Sequence, residues 1–78
     1  MVAARKYVDP VMRRALELFE ASGKSLDQLG REMGYEGDVA RKSAWQFLNK
    51  TTDPRLSMLR RFAHAIGIRL DELVSDKP

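Results

Sequence analysis

A chain of 78 residues has room for one small domain, near the size at which a single core barely suffices, and excludes a multidomain or large-cavity protein. With no cysteine, neither a disulfide framework nor a thiolate metal site can form, which suits a reducing compartment. The formal charge of +3 is modest but uneven: Arg41, Lys42, Lys50, Arg55, Arg60 and Arg61 form a run of six cations broken by one anion, Asp53, a local net of +5 that leaves −2 for the rest.

Residues 1 to 8, with Arg5, Lys6 and Tyr7, show no periodicity, and a loose basic arm with no assigned function is expected there. Asp9-Pro10 then opens a helix: the carboxylate can accept from an orphan amide, and proline lacks the amide that would go unpaired in the first turn. Val11, Met12, Ala15, Leu16 and Phe19 trace one apolar stripe through to Ala21, and Gly23 is placed to end it. Arg13, Arg14, Glu17 and Glu20 fall on the outer face and are expected to be solvated, Arg13 standing four residues from Glu17.

The central stretch, SLDQLGREMGYEGDVARKSAWQFLN from Ser25 to Asn49, reads as two helical patterns joined by a glycine-bearing turn. Ser25 with Gln28 three residues on is a capping-box pair, in which each side chain can satisfy an amide at the helix start. Leu26, Leu29 and Met33 share a face, Gly30 leaves room for a neighbouring helix, and Gly34 is placed to stop the element. On the second pattern, spaced about 100° per residue, Ala40, Ala44, Phe47 and Leu48 fall on one side. Lys42, Gln46 and Asn49 fall on the other, with Arg41 and Trp45 between. A cation and two carboxamides are groups that can donate to guanine or pair with adenine in a major groove. The same polar face is also ordinary solvated surface on an amphipathic helix, and this helix alone does not separate the two.

Asn49 to Asp53 reads as a polar loop, after which Asp53-Pro54 repeats the helix-opening pair. Leu56, Leu59, Phe62, Ala63 and Ile66 give a fourth stripe closed by Gly67, and Ile68, Leu70, Leu73 and Val74 a short fifth before the polar tail at 75–78. No alternating strand pattern occurs, so the expected fold is all-α, a compact five-helix domain over residues 9 to 74. The cationic run spans the third pattern, the polar loop and the first half of the fourth pattern, and is either solvated basic surface or the footprint of a polyanion.

With its helix-turn-helix in second and third place and the closing stretch PRLSMLRRFAHAIGIRLDELV, residues 15 to 74 of the chain resemble the lambda-repressor-like Cro/C1-type (Xre) family. Pro54, Leu56, Leu59, Ala63, Gly67, Leu70, Asp71, Glu72 and Leu73 stand where family members commonly carry proline, leucines, alanine, glycine and LDEL; Ser25, Leu29, Met33 and Gly34 match the start of the second helix. The resemblance implies sequence-specific binding of double-stranded DNA by a small, repressor-like transcription regulator in the cytoplasm or nucleoid. Base reading falls on Arg41, Lys42 and Gln46, and phosphate contact on Asn49, Lys50, Thr51, Thr52 and Arg55. It also implies a possible homodimer on half-sites about 34 Å apart, although no dimer surface is evident in the residues.

Four departures accompany it. Set backwards from Pro54, the register lengthens the turn YEGDVARK and puts Ala44 in a core slot usually β-branched; set forwards from Gly34, that slot falls on Ala40. The Ala44 register is taken because Phe47 then also meets an apolar slot. Leu26 replaces a polar residue that often grips phosphate, and Arg69 stands where a small cap is usual. Trp45, in a normally polar position, is expected to pack on the turn against Tyr35 or, with Tyr35, to meet a partner.

No enzyme is expected: the only histidine, His64, lies within the fourth pattern, with no nucleophile, histidine cluster or glycine-rich phosphate loop beside it. No cofactor, small-molecule effector or membrane partner is expected either, since no apolar run nears the roughly 20 residues a bilayer crossing needs. The competing expectation is a helical protein-interaction module, such as an antitoxin or accessory subunit, using Trp45 and Tyr35.

Overall fold

The computed structural model describes residues 9–74, so the expected arm at 1–8 and tail at 75–78 lie outside the described residues. Five helices succeed one another: α1 (Pro10–Ser22), α2 (Leu26–Glu32), α3 (Asp38–Lys50), α4 (Leu56–Ile66) and α5 (Leu70–Val74), with no strand among the described residues. The chain is all-α, as the periodicity requires.

Each helix start shows how local chemistry sets a boundary. Asp9 caps α1 as expected, its Oδ1 accepting from the Val11 amide at 2.9 Å with Pro10 in the first turn. Ser25 caps α2, Oγ accepting from the Gln28 amide at 3.0 Å, but the reciprocal half of the box is not made. The Gln28 carboxamide turns to Glu32 instead, at 3.4 Å. On α5 the opposite half is present: Glu72 Oε1 accepts from the Arg69 amide at 2.9 Å, so a residue with no capping side chain is capped from inside the helix. Arg69 also pairs with Asp71 at 3.1 Å.

One expected boundary shifts. α4 starts at Leu56 rather than at Pro54, with Arg55 as its cap and no side-chain bond to it. Proline holds the residue before it extended, and Arg55 is itself extended at φ −75°, ψ 152°, so the chain turns helical only afterwards. Leu56, counted as core, is consequently 53% exposed at the first helical position, and Met58 is packed against the core in its stead. α3 starts at Asp38, so the pattern that carries Ala40 and Lys42 is helical throughout, the turn is not lengthened through Lys42, and residues 33–37 connect α2 to α3. The turn begins with paired bonds from the Tyr35 amide to the Gly30 carbonyl and from the Gly34 amide to the Arg31 carbonyl, both 3.0 Å, which satisfy the last carbonyls of α2.

One apolar core joins every helix: Met12 and Ala15, Leu29 and Met33, Ala44, Phe47 and Leu48, Leu59, Phe62 and Ala65, and Leu73. The Phe47 and Phe62 rings lie 5.4 Å apart and tilted by 34°, joining α3 to α4. α2 and α3 are packed most closely of all, because a Cβ on Gly30 would stand 1.9 Å from the Ala40 carbonyl oxygen. Ala40 thus lies against α2, while Ala44 and Phe47 are buried in the core cluster, so both alanines stand on the side that the helical spacing gives them. Arg14 Nε donates to the Glu72 carbonyl at 3.0 Å, tying α1 to α5. No polar or charged side chain is buried among the described residues, so the chain's functional groups lie on its surface.

Candidate nucleic-acid interface

The outward side of α3 is set by what its inward side must bury. Ala40, Ala44, Phe47 and Leu48 occupy the core stripe, which leaves Arg41, Lys42, Trp45, Gln46, Asn49 and Lys50 exposed on a rod of 13 residues. At about 1.5 Å per residue such a rod is some 20 Å long, and an α-helix of ordinary diameter fits a major groove about 12 Å wide. Lys42 and Gln46, one turn apart, stand side by side in the middle of it. Neither side chain hydrogen-bonds within the described residues, so both keep their donors and acceptors for a partner.

The residues assigned to phosphate contact cluster at the other end. Asn49 is exposed but partly committed, its Nδ2 donating back to the Trp45 carbonyl at 3.0 Å, which leaves one N–H for a partner. Thr51 closes α3: its amide donates to the Gln46 carbonyl at 3.2 Å and its hydroxyl to the same oxygen at 3.4 Å, and it is half-buried. Thr52 and Arg55 are exposed on the loop after it. Lys50 Nζ lies 5.7 Å from the Trp45 ring centroid, a cation–π contact that steadies the indole without neutralising the ammonium.

Charge divides along the same line. The ion pairs among the described residues join Lys24 to Glu32 and Arg31 to Asp27, each at 2.8 Å, and Arg69 to Asp71. The Lys24 ammonium, hydrogen-bonded to Glu32, holds that carboxyl below the usual carboxylate range. None of the six cations from Arg41 to Arg61 takes part in these pairs. An unneutralised cationic surface attracts polyanions, whereas paired charges largely cancel at a distance.

Sequence reasoning places Arg41 on the flank and does not single out Asp38. The structure brings both, with Lys42, Trp45 and Leu26 of α2, to the walls of one open cleft of about 330 Å³ beside the outward face. A turn lengthened through Lys42 hides Asp38; at helical spacing it stands one turn before Arg41 and Lys42. Trp45 does not retreat onto the turn but stays 42% exposed. Tyr35 packs against the core instead, its hydroxyl meeting the Met58 sulfur at 3.4 Å. The two aromatic residues expected to share a surface thus have different surroundings.

In comparisons with known proteins, no family model, no curated protein and no solved structure matches this chain. The functional reading rests on the residues and their geometry.

Proposed function

We propose that this chain is a sequence-specific binder of double-stranded DNA, a small repressor-like transcription regulator that inserts α3 into the major groove. The observation that carries the reading is the exposed Lys42–Gln46 face on a 13-residue helix, standing at the head of six cations that no carboxylate neutralises among the described residues. Phosphate contacts from Lys50, Thr52 and Arg55, with the second Nδ2 hydrogen of Asn49 and the Thr51 hydroxyl once it turns from the Gln46 carbonyl, fix orientation, while Lys42, Gln46 and Arg41 choose the sequence. A pair of helices joined by residues 33–37, at second and third place among five, fits the Cro/C1-type resemblance, which supports the reading and carries the expectation of a homodimer on a symmetric operator.

A titration against random duplex at two salt concentrations tests it. Affinity falling steeply with salt is expected, as counterions are released from neutralised phosphates. Gln46→Ala should relax preference at one base pair by about 1–3 kcal/mol, whereas Lys50→Ala should weaken all sequences alike and reduce the salt slope by about one. No binding at low salt would end the DNA reading and favour the interaction module, for which Val39, Trp45, Leu56 and Val74 are the exposed large apolar residues among those described.

A further inference from the structure

Leu26 and Trp45 are apolar side chains on a face otherwise made of charge, and the fold brings them to the walls of the same cleft. Arg41 and Lys42 line it with donors, and Asp38, a carboxylate at the first turn of α3, lines it with an acceptor. Trp45 is steadied there by Lys50 at 5.7 Å from its ring. An apolar slot, a carboxylate and two cations where α2 meets α3 form a specific chemical request.

Base-pair edges in the major groove answer it in one way. Thymine paired with adenine presents a C5-methyl, an exocyclic amino group and the acceptors O4 and N7. 5-Methylcytosine paired with guanine presents the same three kinds of group, its own methyl and amino group with the guanine O6 and N7. Uracil and unmodified cytosine keep the polar groups and lack the methyl. The C5-methyl also lies toward the backbone of its own strand, where the Lys50 ammonium beside Trp45 is placed to meet a phosphate.

We propose that the Leu26–Trp45 cleft reads the C5-methyl group of a pyrimidine, with Asp38 accepting from the exocyclic amino group of the pair and Arg41 or Lys42 donating to its acceptors. The inference rests on the DNA reading above and deepens it: Leu26, Trp45 and Asp38 become specificity-determining residues beside Lys42 and Gln46. Moving one methyl from water into an apolar slot is worth about a buried CH₂, roughly a fourfold change in affinity.

The test uses the full chain and a duplex chosen by selection from a random pool. Each thymine is replaced in turn by deoxyuridine, and each cytosine by 5-methylcytosine, with affinity read by fluorescence anisotropy. The expected result is a loss of about fourfold for uracil, or a gain of about fourfold for 5-methylcytosine, confined to one position per half-site; which arm responds names the source of the methyl. Trp45→Ala, at an exposed position that leaves the core intact, should abolish that difference while keeping the salt slope, and Trp45→Phe should keep part of it. Equal affinity for methylated and unmethylated bases at every position overturns the inference, as does a methyl effect that survives Trp45→Ala. Steep, salt-dependent binding with no methyl effect sinks this inference alone, whereas absence of duplex binding at low salt sinks it together with the DNA reading.

Discussion

A methyl group on Gly30 would stand 1.9 Å from the Ala40 carbonyl oxygen and 2.4 Å from its carbon, both backbone atoms that no rotamer change can move. Helix propensity alone predicts that Gly30→Ala stabilises α2 by about 1 kcal/mol. The clash opposes this, since overpacking commonly costs about 1–3 kcal/mol and more when the obstacle is main chain. The clash should win, with a net loss of about 2 kcal/mol and a fall in Tm of roughly 10 °C in a thermal melt; an unchanged or higher Tm would show that the two helices do not meet there. Gly30 was legible in the sequence because a glycine in mid-helix is disfavoured and so needs another reason. Its partner was not: helical spacing puts both Ala40 and Ala44 on the buried side, and only the length of the turn between α2 and α3 decides that Ala40 crosses at Gly30. Leu26 and Trp45 were legible singly, as apolar residues in polar places, but their meeting depends on the length of the same turn.

The start of α3 decides what the candidate interface contains, and Gly37 sets it. Gly37 stands at φ 61°, ψ −146°, a region that side chains other than glycine's scarcely enter, and it offers no side chain to cap the helix that begins at Asp38. Asparagine is among the best residues at a helix cap and would be the obvious stabilising replacement. Gly37→Asn should nevertheless destabilise the domain by about 1–2 kcal/mol, because backbone strain of about 1–3 kcal/mol outweighs a cap that gains only a few tenths of a kcal/mol over glycine. Chemical denaturation would measure it, and a midpoint at or above that of the parent would refute the assignment of Gly37 as the residue that turns the chain into α3. The element order, the all-α class and the stops at Gly23, Gly34 and Gly67 were legible because apolar spacing and glycine carry them. The start of α4 was not, since Asp53-Pro54 copies the residues of Asp9-Pro10 without its bond: Asp9 meets the Val11 amide, while Arg55 caps α4 with no side chain.

Among the described residues, Lys24, Arg31 and Arg69 have carboxylates at 2.8–3.1 Å, whereas the six cations from Arg41 to Arg61, like Arg13 and Arg14 on α1, are in none of these pairs. A cationic surface of this kind repels itself in the folded state, so the fold and its proposed partner should respond to salt in opposite directions. Raising salt from about 0.05 M to 0.5 M shortens the screening length from more than about 10 Å to under about 5 Å, which relieves the repulsion and should leave Tm unchanged or raise it slightly. Duplex DNA at low salt should do the same work more strongly. At a concentration near 100 times the dissociation constant, binding to the folded chain alone adds about 2.7 kcal/mol, a rise in Tm of roughly 10–20 °C. That rise should vanish at high salt, because the phosphate contacts that create it are the ones salt displaces. A melting temperature indifferent to duplex at about 0.05 M salt, or one that falls as salt is added to the free chain, would show that the cationic surface is neither unneutralised nor a site for DNA.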